Sequence, residues 1–171
     1  MKIRSLVSGL TMTGFLLGAF PTLAWAQSGP GVTLFGGPER ANLLNFFLQS
    51  GRSGRWDRYR LRIPARQLNM AVALISISYP EHFEGRFDPD RIEVRIGDQS
   101  IPLEEVIWDA ENNFIEIYPE EPIPAGQSLE IVISNVRNPT FGGMFHFNAN
   151  VRSPGDVPLL RYVGTWVLSI D

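Results

Sequence analysis

The chain has 171 residues, with 15 basic and 18 acidic side chains, a formal net charge of −3 and no cysteine. The acidic balance argues against nucleic acid as a partner and against charge-driven docking on anionic lipid, since both need a basic footprint. Without cysteine there is no disulfide and no thiolate metal site, so the hydrophobic core must hold the fold unaided.

Met1 to Ala26 reads as a cleavable signal peptide. Lys2 and Arg4 form a positive start, an apolar run follows from Leu6 to about Phe20, Pro21 breaks it, and Ala24-Trp25-Ala26 supplies the small residues that a signal peptidase needs. Cleavage is expected between Ala26 and Gln27. The apolar run is shorter than the ~20 residues of a spanning helix, and no later stretch reaches that length. The expected address is therefore the periplasm, the outer envelope or the medium, with no membrane span after cleavage. Removing Lys2 and Arg4 leaves 13 basic against 18 acidic residues, a net charge of −5, and every remaining base is arginine. A lysine-free chain has no Schiff-base chemistry.

Residues 27–54 read as a leader. Val32 to Phe35 suits a short strand, Asn42 to Gln49 (NLLNFFLQ) a short helix, and Gly51 to Gly54 (GRSG) a turn or exposed loop. Residues 55–171 read as one all-β domain. Tyr59, Leu61 and Ile63 alternate with Arg58, Arg60 and Arg62, a strand with one dry and one wet face. Met70 to Tyr79 is apolar on both parities and fits a central strand, although a buried helix starting near Ala65 fits the pattern too. After the Phe87-Asp88-Pro89-Asp90 turn come Ile92 to Ile96, a two-residue hairpin turn at Gly97-Asp98, and Ile101 to Ile107. Phe114 to Tyr118, Leu129 to Ile133, Gly143 to Val151 and Tyr162 to Ile170 complete the set, with Ser153 to Pro158 as a loop. About eight short strands with turns every 8–12 residues point to an immunoglobulin-like antiparallel β-sandwich.

Several of these segments together resemble a known family. Tyr59-Arg-Leu-Arg-Ile-Pro, Phe87-Asp-Pro-Asp-Arg-Ile-Glu-Val and the terminal Tyr162-Val-Gly-Thr-Trp-Val-Leu-Ser-Ile, behind a signal peptide, resemble the small exported cyanobacterial proteins grouped as domain of unknown function 2808. The resemblance runs from about Phe46 to Ile170. It implies a cyanobacterial source and an envelope or extracellular address, and it implies no activity.

No complete catalytic set emerges, and no cofactor motif. G-x-S-x-G is absent, as are phosphate-binding glycine loops. His146 shares a strand face with Met144, Asn148 and Asn150, and His82 lies in an acidic loop. Two histidines at unrelated spacing fall short of a zinc site. Asp88 and Asp90 are candidate oxygen ligands for calcium, against the plainer reading of a turn that Asp88 caps and Pro89 presets. Glu104, Glu105, Asp109 and Glu111 surround Trp108, either as a carboxylate pair for glycoside hydrolysis or as a solvated rim.

The most distinctive feature is the arginine comb of Arg58, Arg60 and Arg62, with Trp56 on the same parity. Guanidinium forks beside an aromatic ring suit an anionic polysaccharide. The competing reading pairs the comb internally with Glu93, Glu116 or Glu130. Trp56, Trp108, Phe83 and Tyr118 fall at strand ends or loops where rings stack on sugar, whereas Trp166 reads as core. The leading expectation is a non-enzymatic binding or structural module. Its candidate ligand residues are Trp56, Arg58, Arg60, Arg62 and Trp108, and its partner an envelope polysaccharide or protein. A polysaccharide-active enzyme using loop carboxylates and a histidine, and a small-molecule or lipid carrier, are the alternatives.

Overall fold

The structure is a computed structural model that describes residues 39–155 and 159–171. The signal segment, the Val32–Phe35 strand and part of the Ser153–Pro158 loop expected from the sequence lie outside the described residues. Ten strands follow in chain order: β1 Phe46–Leu48, β2 Trp56–Ile63, β3 Leu74–Ser78, β4 Ile92–Ile96, β5 Gln99–Ile101, β6 Leu103–Asp109, β7 Phe114–Pro119, β8 Leu129–Arg137, β9 Gly143–Arg152 and β10 Arg161–Ile170. They form two five-stranded antiparallel sheets, ordered β1-β2-β8-β4-β5 and β10-β9-β3-β7-β6. The fold is the expected immunoglobulin-like β-sandwich.

Period-two burial builds it. On β2 Asp57, Tyr59, Leu61 and Ile63 are buried, while Trp56, Arg58 and Arg62 are exposed. The opposite layer answers with Ile75, Ile77, Ile115, Ile117, Phe147 and Trp166, all fully buried. Burying an Ile- or Phe-sized side chain contributes about 1.5–3 kcal/mol, so this interlayer core dominates stability. Trp166 on β10 also ties the two sheets together, its indole N–H donating to the Arg62 carbonyl on β2 at 3.1 Å. An aromatic cluster fills one end of the interior, where Phe83 stacks on Phe87 and meets Phe145 and Phe147 edge to face.

Two elements differ from expectation, and together they account for ten strands where eight were read. The segment expected as a helix is strand β1, preceded by a single 3-10 turn at Arg40–Asn42. Phe46 and Leu48 pack against the core while Phe47 faces out, which is strand alternation. A short apolar run fits either period, and here the free edge of β2 offers the backbone partners that decide it. The Ile101–Ile107 strand is two strands. Pro102 has no N–H for the ladder, and the chain uses it to cross from one sheet to the other. The alternative of a helix from Ala65 reduces to one 3-10 turn, Ala65–Gln67, and β3 takes the central place expected for Met70–Tyr79.

Both flanks of the sandwich are closed by chain that changes layer. On one, β5 passes through Pro102 into β6. On the other, Leu44 N–H donates to the Thr165 carbonyl of β10 at 2.9 Å just before β1 joins β2. Gly164 permits that approach, because a Cβ there would stand 2.6 Å from Leu44 Cγ.

Candidate functional site

The outer face of the β1-β2-β8-β4-β5 sheet carries the arginine comb. Register fixes its neighbours: Arg62 faces Glu130, which faces Arg95, and Arg60 faces Val132, which faces Glu93. Glu130 is the internal partner. It accepts from Arg62 Nε at 2.9 Å and from Arg60 Nη1 at 3.4 Å. Glu93 is taken by Arg95, at 2.7 Å. Glu116 is on the other sheet and accepts from the Tyr118 hydroxyl at 2.7 Å, which with its charge raises the Tyr118 pKa. Val132 is only 2 % exposed although it points away from the core, so the flanking arginine and glutamate stems cover it. Arg60 and Arg62 therefore act partly as a lid over Val132.

Arg58 differs. Its Nε donates to the neutral Ser134 hydroxyl at 3.0 Å, and among the described residues it enters no ion pair. Pinning Nε orients the guanidinium plane and leaves its terminal fork for an outside oxyanion. Beside it Trp56 is 59 % exposed, with the Arg137 guanidinium 5.5 Å from its ring centre. Trp56, Arg58, Arg91, Ser134 and Asn135 line a cleft of about 620 Å³, whose wall also includes Asp90 and Glu93.

A buried polar network holds the floor of this cleft. The Asp57 carboxylate accepts from the backbone N–H groups of Ser50, Gly51 and Arg58 at 2.8, 2.8 and 2.7 Å, and from Asn138 Nδ2 at 3.0 Å. Asn138 also donates to the Arg52 carbonyl at 2.8 Å and accepts from the Tyr59 hydroxyl at 2.6 Å. Burial, and secondarily Asp57, pushes the Tyr59 phenol well above its ordinary range, so it stays a donor. The GRSG segment is thus an anchored loop, with Gly51 and Gly54 both at φ +62°, where a side chain would be strained. Neither Asp57 nor Asn138 carries a motif that marks it as a site residue. The parity of Asp57 with Tyr59, Leu61 and Ile63 was the available signal.

The remaining candidates lie elsewhere. Trp108 is on β6 of the opposite sheet, half-buried, donating to the Tyr79 hydroxyl at 2.8 Å and packed edge-on to Phe87. It forms no joint platform with Trp56. Phe83 is core, at 2 % exposure, and so is Trp166. His82 is exposed and stacks on Phe145, and His146 projects from β9 on the outer face of the other sheet opposite Val167. Asp88 makes no side-chain cap for the Pro89–Arg91 turn, contrary to the capping expected, and accepts instead from Asn135 at 2.7 Å. Among the described residues no three His, Asp or Glu side chains converge to hold a metal, Asp88 and Asp90 included. Asp109 accepts from Asn112 and the Glu111 backbone, and those bonds, the Asn112 side chain first, hold its pKa below the usual carboxylate value. A general acid needs the opposite shift.

The model of the family described as Protein of unknown function (DUF2808) matches residues 32–170. The chain belongs to this family. No curated protein matches the sequence. Among solved structures, this DUF2808 chain is similar to BslA, a bacterial hydrophobin, with a TM-score of 0.52 at 12 % identity, covering 75 % of this chain and 97 % of that one. It is also similar to an uncharacterized Nocardia farcinica protein with an immunoglobulin-like fold (TM-score 0.42, 12 % identity, 75 % and 97 % covered). A collagen-binding domain from a Staphylococcus aureus adhesin gives a TM-score of 0.41 at 11 % identity, with 74 % and 95 % covered. At such identities the likeness is one of fold alone. No helix among the described residues is long and apolar enough to cross a membrane.

Proposed function

We propose that this DUF2808 chain is an exported, non-enzymatic binding module that holds an anionic polysaccharide of the envelope or surroundings in the Trp56–Arg58 cleft. The observation that carries the reading is the unbalanced Arg58 fork beside an exposed indole. Trp56 stacks on a sugar ring and Arg58 pairs with its carboxylate or sulfate. Arg60 and Arg62, half committed to Glu130, add long-range attraction rather than a second fork. The acid groups Asp90 and Glu93 in the cleft wall favour a chain whose charges alternate with hydroxyls over a dense polyanion.

Calorimetric titration of the purified protein with alginate, dextran sulfate and neutral dextran tests this. Binding is expected for alginate, with a loss of about tenfold or more in Trp56→Ala and in Arg58→Ala, given ~1–3 kcal/mol for a stacked ring or a charged hydrogen bond. Unchanged affinity in both variants, or equal binding of neutral dextran, removes the reading. Export has its own check: N-terminal sequencing of the secreted product is expected to begin at Gln27, and a product still beginning at Met1 contradicts cleavage.

A further inference from the structure

Charge is sorted along this chain far more sharply than its net value of −3 indicates. From Arg40 to Arg66 there are seven arginines and one acid, the buried Asp57; between Arg95 and Arg137 there is no basic residue and there are nine acids. The fold keeps most of the two sets apart; the exceptions are Glu130, which pairs with Arg60 and Arg62, and Asp98, which shares a cleft with them. The basic stretch builds β1 and β2 at one flank of one sheet; the acidic stretch builds β5 to β7 at the other flank, with β6 and β7 in the opposite sheet, and only its last part, β8, lies beside β2. The outer faces of the two sheets point in opposite directions, so the basic and acidic patches lie diagonally across the sandwich.

Each patch also holds an exposed apolar side chain. On the basic side Phe47 of β1 is 53 % exposed and faces Arg60 across the strand pair, with Arg58 and Arg62 one step away on either side. On the acidic side Ile107 of β6 is 37 % exposed and faces Glu116, with Glu105 and Asp109 on either side along the strand. An apolar centre inside a charged rim is how protein interfaces are built, and here the two rims have opposite sign.

We propose that copies of this chain associate head to tail, the Glu105–Ile107–Glu116 face of one copy seating on the Phe47–Arg60–Arg62 face of the next. The pairing is heterologous, and because the two faces lie diagonally opposite it leaves both ends open and grows as a series rather than closing as a dimer. The association is weak and salt-sensitive, since its rim charges are solvent-exposed. It does not depend on the glycan reading, whose cleft centres on Trp56 and Arg58.

Sedimentation equilibrium of the purified protein decides it. At about 10 mM salt, where the screening length is ~30 Å, the average mass is expected to rise continuously with concentration. At about 1 M, where it is ~3 Å, the mass falls to the monomer. Two variants each abolish growth: Glu105→Arg with Ile107→Arg, and Phe47→Glu with Arg62→Glu. Mixing the two restores association, because the reversed faces are again complementary. Thermal melts establish that each variant is folded. A monomer at every low-salt concentration, a mass that levels at a dimer, growth that survives 1 M salt, or folded variants that fail to restore it on mixing each overturns the proposal. Loss of alginate binding in Trp56→Ala with growth intact separates this result from failure of the cleft.

Discussion

Trp166→Ala is expected to destabilise the fold by about 4 kcal/mol and to lower Tm by about 12 °C. Trp166 is fully buried and is the largest such side chain in the core. Its removal leaves a void that the surrounding β-branched and aromatic side chains fill only in part. It also removes the one indole N–H that, among the described residues, reaches across the interior, to the Arg62 carbonyl at 3.1 Å. Trp166→Phe separates the two effects: it retains most of the volume, loses the hydrogen bond, and is expected to cost about half as much. With a domain stability of about 5–15 kcal/mol, the alanine variant takes a large share of the total. Chemical denaturation with an unchanged m-value measures it. A loss under about 1 kcal/mol would mean that the two layers are not held by this residue.

Asp57→Ala comes next, at about 3 kcal/mol, and its distinguishing consequence is functional. The carboxylate is the common acceptor for the Ser50, Gly51 and Arg58 backbone donors and for Asn138. Alanine leaves those part-buried donors without their common acceptor, and the cost of unmet donors exceeds the net worth of the bonds themselves. The Ser50–Gly54 loop and the cleft beside it lose their common anchor. Alginate affinity is therefore expected to fall although Asp57, at the edge of the cleft lining, is itself nearly buried. Asp57→Asn keeps an acceptor oxygen and is expected to lie between wild type and Ala on both measures. Hydrogen exchange at Ser50 and Gly51 checks the mechanism directly: protection drops in Asp57→Ala, while that of β3 at the centre of the other sheet changes only by the global destabilisation.

Strand alternation was legible where polar residues mark the wet face. On β2 the parity of Tyr59, Leu61 and Ile63 against Arg58 and Arg62 is the observed burial pattern, and the Gly97-Asp98 turn joins β4 to β5 as its spacing implied. What was not legible depended on partners distant in sequence. Phe46 to Leu48 becomes a strand because β2 has a free edge beside it. Pro102 moves the chain into the other layer, which carries Trp108 away from Trp56 and turns its ring toward Tyr79 and Phe87. In the candidate site, Trp56 and Arg58 were readable as neighbours because one strand's period sets them both. That Arg60 and Arg62 share Glu130 while Arg58 meets only Ser134 follows from the β2–β8 register, which includes a bulge between Asp57 and Tyr59. No local pattern encodes that shift.

Binding at the Trp56–Arg58 cleft is the proposal on which the rest depends. An NMR titration of the 15N-labelled protein with an alginate oligosaccharide tests it most directly. Saturable shifts are expected for the Trp56 indole N–H and the Arg58, Ser134 and Asn135 amides, with the Trp108 and Trp166 indoles unmoved. Shifts centred on the β9–β10 face around His146, or none at millimolar ligand, would contradict it.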